Sequence, residues 1–163
     1  MKKPASLRAA IAALLPDIAR DPDKLAMWVE RGRVRAPQTV QRGFAWEYEL
    51  TLVAEDYTHD PAVIFFLVVE WLRDNQPDLL AANTDGFAFE VDVIDDKTFD
   101  VKITLPLREI VTAQQLAEGW QLEVLAEPVP HFPDAVPLRG NQGPITSIWV
   151  QSDEGTFQVA PDE

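Results

Sequence analysis

Cysteine is absent from all 163 residues, which removes disulfide frameworks, thiolate nucleophiles and zinc-thiolate sites together. Histidine is scarce: only His59 and His131 occur, and neither stands in a spacing that builds a metal site or a catalytic triad. The chain also lacks a glycine-rich phosphate loop, a nucleophile elbow and an HExxH helix, so no motif supports catalysis or implies a cofactor. No apolar run approaches the roughly 18 residues of a membrane span. The most apolar stretch, residues 62–69, is soon broken by Glu70, Arg73 and Asp74. The opening MKKPASLRAAIAALLPDIARDPD has a basic start, but Arg8 interrupts its apolar stretch and Pro16 and Asp17 close it too early for a signal peptide. These absences point to a non-enzymatic product of a reducing cytoplasm that has no membrane among its partners.

Positive charge is the next shortage. Fourteen Lys and Arg face 27 Asp and Glu, a net charge of -13. The imbalance is uneven: residues 1–43 hold nine basic against four acidic residues, a balance of +5, and the remainder holds five against 23, a balance of -18. Opposed halves favour head-to-tail contact between copies or contact with a charged partner, although such fields act on encounter and solubility rather than on fold. A plain acidic surface accounts for the total equally well.

What is present is hydrophobic periodicity. Leu7, Ala10, Ile11, Leu14 and Ile18 recur at helical spacing behind Ser6, a suitable N-cap. Pro16 either ends that helix near Leu14, with a second helix restarting on the proline, or kinks it. Residues 25–35 read as a strand with Met27 and Val29 on one face and Trp28 and Glu30 on the other. From residue 44 the alternation is strict: Phe44, Trp46, Tyr48, Leu50, Leu52 and Ala54 share one face, and Glu47, Glu49, Thr51 and Glu55 hold the other. Asp60 followed by Pro61 is an N-cap with proline in the first turn of a helix. Residues 87–93 and 99–105 form a hairpin around Asp95, Asp96 and Lys97. Residues 108–114 and 120–126 read as a further pair, with a helical turn in TAQQLAEGW as the alternative. The pattern predicts an α+β domain over residues 1–127, an antiparallel or mixed sheet of four or more strands on two main helices. Pro128, Pro130, Pro133, Pro137 and Pro144 then mark residues 128–163 as a proline-rich arm ending in a small hairpin.

Two surface features invite partners. The helix after Pro61 supplies a full core stripe in Ile64, Leu67, Val68, Trp71 and Leu72, which leaves Phe66 and Val69 roughly opposite it. Another subunit or the N-terminal helix of the same chain would cover them. Arg31, Arg33 and Arg35 lie at period two, so a strand presents all three on one face. Such a stripe reads as a solvated, protected sheet edge or as a contact surface. The absence of interleaved aromatics and the acidic remainder argue against sequence-specific nucleic-acid binding. Asp56, His59 and Asp92 would make an acid-base hydrolase only if a cleft joined them. An acidic adaptor that mimics nucleic acid is the other alternative.

Along residues 1–127 the chain resembles the tail completion protein R family of contractile-tailed phages and prophages. The resemblance runs through KPASLRAA, RDPDKL, VERGRV, FAWEYELTLVAEDYTHDPAVIFFLVVEWLRDNQPDLL and FEVDVIDDKTFDVKITLPLRE. It implies a structural protein that acts late in tail assembly, made in the host cytoplasm and carried in the neck of the virion. The implied partners are other copies in a ring, a hexamer in related tail terminators, together with tail tube, sheath and head-tail connector proteins.

Overall fold

The computed structural model describes residues 1–40, 42–127, 147–152 and 155–160. Within them the order is α1 (Lys3–Leu14), α2 (Pro16–Arg20), β1 (Leu25–Arg35), β2 (Phe44–Tyr57), α3 (Pro61–Asn75), β3 (Ala88–Val93), β4 (Phe99–Leu116), β5 (Gly119–Val124), β6 (Ile148–Ser152) and β7 (Gly155–Ala160). The main sheet runs β1-β2-β4-β3, with β5 on the far half of β4, and every pairing is antiparallel. The expected α+β architecture is therefore the observed one. Most of the proline-rich segment, residues 128–146, lies outside the described residues. The expected terminal hairpin is β6–β7, and Ile148 and Val150 pack against the main core.

Alternation places the core. Tyr48, Leu50, Leu52 and Ala54 of β2 and Val101, Ile103, Leu105 and Leu107 of β4 face the helices and are buried with Leu7 and Ile11 of α1 and Ile64, Val68 and Leu72 of α3. Each such side chain contributes about 1.5 to 3 kcal/mol when fully withdrawn from water. The opposite face is bare of these core-packing helices; there Glu47, Glu49 and Lys102 are partly exposed, Arg108 is exposed and Thr51 is buried among its neighbours.

Proline positions follow from hydrogen bonding. The first helix stops at Leu14, Leu15 is extended, and Pro16 opens α2. A proline nitrogen in a first turn forfeits nothing. Ser6 is not the cap, because α1 already begins at Lys3 with Pro4 in its first turn; Ser6 instead accepts a hydrogen bond from Trp71 Nε1 at 3.1 Å. Asp60 does cap α3, accepting from the Ala62 N–H at 2.7 Å. Pro106 fails to divide β4, so the two strands expected on either side of it form one strand of 18 residues. It sits between the stretch paired with β3, which ends at Thr104, and the stretch paired with β5, which starts at Val111. The Arg108 N–H points into that gap, toward Gln76 Oε1 at 3.1 Å. Pro106, two residues away, turns its missing N–H to the same unpaired side, where no ladder bond is lost.

Candidate assembly surfaces

A register shift between Val29 and Arg31 reorganises β1. Strict alternation would set Arg31, Arg33 and Arg35 on the side of Val29; the extra residue, Glu30, moves them to the bare face with Trp28. There Arg31 pairs with Glu49, Arg33 with Glu47 and Arg35 with Ala45 across β2. Arg31 Nε donates to Glu49 at 2.7 Å, while Arg33 and Arg35 Nε share Glu47 Oε2 at 2.6 and 3.1 Å. The hydrogen bond from Arg33 holds the Glu47 carboxyl below its ordinary pKa, and the bond to Glu49 raises that of Arg31. Glu90 of β3 faces Lys102 of β4 at 3.3 Å.

The bare face is thus striped. β1 is basic at Arg31, Arg33 and Arg35, β2 acidic at Glu47 and Glu49, and β3 acidic at Glu90 and Asp92, while β4 is mixed: Lys102 and Arg108 are basic and Asp100, opposite Asp92, is acidic. A groove of about 650 Å³ is lined by sheet residues that include Arg31, Arg33, Glu47, Glu49 and Arg108 and by Gln76, Asp78 and Leu79 of the segment that follows α3. The arginine stripe lies on an exposed edge strand, as the edge reading expects.

On the helix side, Phe66 is 45% exposed, so α1 does not cover it; Val69 is half-buried. Their neighbour Phe65, not singled out by the periodicity, stacks on Phe89 of β3 at 4.7 Å between ring centroids. Phe89 itself is 57% exposed and Val93 is 69% exposed, because β3 is an edge strand beyond the main helix cover. Helical spacing sets Val69 beside both Phe65 and Phe66 on one flank of α3. They and Phe89 form an apolar flank running to the β3 edge.

A second feature missed by periodicity is a buried polar knot. Glu109 is 1% exposed and accepts from the Tyr48 hydroxyl at 2.6 Å and from the Lys2 backbone N–H at 3.0 Å. Beside it Lys3 Nζ donates to Glu127 at 2.6 Å and to Gln76 Oε1. Burial, reinforced by Glu109, pushes the Tyr48 pKa far above its ordinary value. The signal was legible in one respect: Glu109 takes an inward position in the series Val101, Ile103, Leu105, Leu107, Glu109, Val111.

The groups weighed for hydrolysis do not converge. Asp56 donates its backbone N–H to Asp100, and the His59 ring lies against Tyr57. The cavity beside Asp56 and His59 measures about 10 Å³, and Asp92 does not line it. Among the described residues no group of three or more His, Asp and Glu is placed to hold a metal ion. No helix among them is long and apolar enough to cross a membrane.

Residues 1–128 match the family model described as P2 phage tail completion protein R. Tail completion protein R of Escherichia phage P2 is 29% identical over 153 residues, covering 91% of this chain and 99% of that protein. No solved structure matches the chain. With a match across the whole helix-and-sheet body, and with surfaces rather than a catalytic cleft as its outstanding features, the chain belongs to the P2 phage tail completion protein R family.

Proposed function

We propose that this chain is a structural subunit that caps the head-proximal end of a contractile phage or prophage tail and readies it for head joining. The family match across residues 1–128 carries the reading. Copies close into a hexameric ring that contacts tube and sheath proteins on one side and head-tail connector proteins on the other. The protein is made in the host cytoplasm and ends in the virion neck. Exposed Phe66, with Val69 beside it, supports contact with a neighbouring subunit, and the stripe Arg31, Arg33 and Arg35 supports contact with another copy or a tail protein. A heterologous contact that closes by rotation yields a ring. A ring that binds the tube without offering a tube-like surface of its own ends further growth. The main body forms one unit over residues 1–127, followed by the arm of residues 128–163.

The acidic-mimic alternative gains no support. A mimic presents free carboxylates, whereas Glu47 and Glu49 are tied to arginines of the same sheet.

The test is deletion of the gene from an inducible prophage, followed by electron microscopy of the lysate. Tails of abnormal length, or tails left without heads, are expected, with rescue by a plasmid copy. Normal yields of joined particles without the gene would overturn the reading.

A further inference from the structure

The self-assembly reading leaves open which surfaces meet, and the two outer strands of the main sheet differ in a way that answers it. β1 and β3 are the terminal strands of the path β1-β2-β4-β3, and both are exposed along most of their length. On the bare face β1 offers Arg31 and Arg33, while β3 offers Glu90 and Asp92. On the helix face β1 offers Val34, 64% exposed, and β3 offers Phe89. The edges are therefore opposite in charge on the bare face, where Glu90 also meets Lys102 of its own sheet, and both are apolar on the helix face.

We propose that β1 of one copy adds to β3 of the next, so that a continuous sheet passes from subunit to subunit. The strands alternate in direction through β1, β2, β4 and β3, so a neighbour that continues the sheet in the same sense brings its β1 antiparallel to β3. One register satisfies both faces. With Arg33 opposite Glu90, Arg31 falls opposite Asp92, Val34 opposite Phe89, and Gly32 opposite Val91. Directly opposed unlike charges and apolar pairs stabilise an antiparallel ladder, and like charges destabilise it.

The stripes give the same answer independently of register. The two open edges differ in sign, basic at β1 and acidic at β3, and joining β3 to β1 sets unlike charges side by side. Joining β1 to β1 would set arginines against arginines, and joining β3 to β3 would set acids against acids. Charged residues that ordinarily protect an open edge from indiscriminate pairing thus become selective: each edge rejects its own kind and accepts the other. Glu47 and Glu49 already hold the arginines extended across the face, so little side-chain freedom is lost when a second acidic column arrives on the other side.

The proposal rests on the self-assembly reading and is tested by disulfide trapping, for which a cysteine-free chain is a clean background. Val34→Cys and Phe89→Cys in one chain should give, on mild oxidation, a ladder of covalent multimers ending at the ring number. An equimolar mixture of the two single variants should give covalent dimers, and either single variant alone only background. In parallel, Arg31→Glu with Arg33→Glu, and separately Glu90→Arg with Asp92→Arg, should each weaken association by about tenfold or more, while all four changes in one chain should restore it. The pairing is overturned if wild-type protein sediments as a multimer yet gives no Val34–Phe89 link and is indifferent to the reversals. It is also overturned if Val34→Cys instead links to Leu122→Cys on β5, the third open edge; in both cases self-assembly itself survives. Protein that remains a single copy at every concentration and on purified tails would overturn both readings.

Discussion

On one side of the sheet, Leu52, Ile103 and Leu105 are fully covered by α1 and α3; on the other, the same strands carry Glu47, Glu49, Lys102 and Arg108 into water. The covered side draws its stability from withdrawn apolar area, which charge screening does not weaken. The bare side gains little from its ion pairs, because exposed pairs trade hydration and side-chain freedom for weak attraction. What it has is pattern. The contrast teaches that stability resides on the covered face of these strands, so the bare face, proposed above as a contact surface, can be altered with little effect on it.

Four measurements would break or sharpen that division. Leu52→Ala, on the covered side, should lower unfolding free energy by about 2 to 5 kcal/mol, read as a fall in the urea midpoint by circular dichroism. A neutral result would mean the helix layer is not the main source of stability. Tyr48→Phe should cost less, about 1 to 3 kcal/mol, since it strands a buried oxygen of Glu109. Tyr48 and Tyr57, the only tyrosines in the chain, have pKa values raised mainly by burial. The folded protein thus holds these protons more tightly than the unfolded chain. Their contribution is intact below the ordinary tyrosine value near pH 10 and is lost as pH rises beyond it. Tyrosinate absorbance should accordingly rise together with loss of circular dichroism, and the Tyr48→Phe variant should show a shallower alkaline loss. Ionisation of both tyrosines in a protein that stays folded would contradict the buried knot. Smallest of all, Arg33→Ala on the bare side should leave the urea midpoint within the scatter of repeats, at low and high salt alike. A clear loss of stability there would erase the distinction between the faces.

Local patterns carried much of this fold into view. The alternation from Phe44 to Ala54, the Asp60–Pro61 helix start and the acidic turn at Asp95 and Asp96 each concern residues a few positions apart, where backbone geometry alone decides. What escaped were events between distant positions. Glu30 is unremarkable in sequence, yet one bulge there carries three arginines to the other face. Pro106 reads as a strand breaker unless it is known that β3 and β5 leave a gap beside it. Phe66 was legible as a surplus side chain, but the exposure of Phe89 depends on where the helices end above the sheet. The knot around Glu109 joins residues 107 positions apart, and only its inward place in the β4 series hinted at it.

The clasp between Lys3 and Glu127 has a mechanical consequence. It fastens the beginning of the first helix to the point where the polypeptide leaves the sheet toward its proline-rich stretch. Fraying of the first turn would therefore release one of the contacts that hold that exit. Tension applied to the later segment by a docked neighbour would be felt first at the opposite terminus, through Lys3, before it reached the strands.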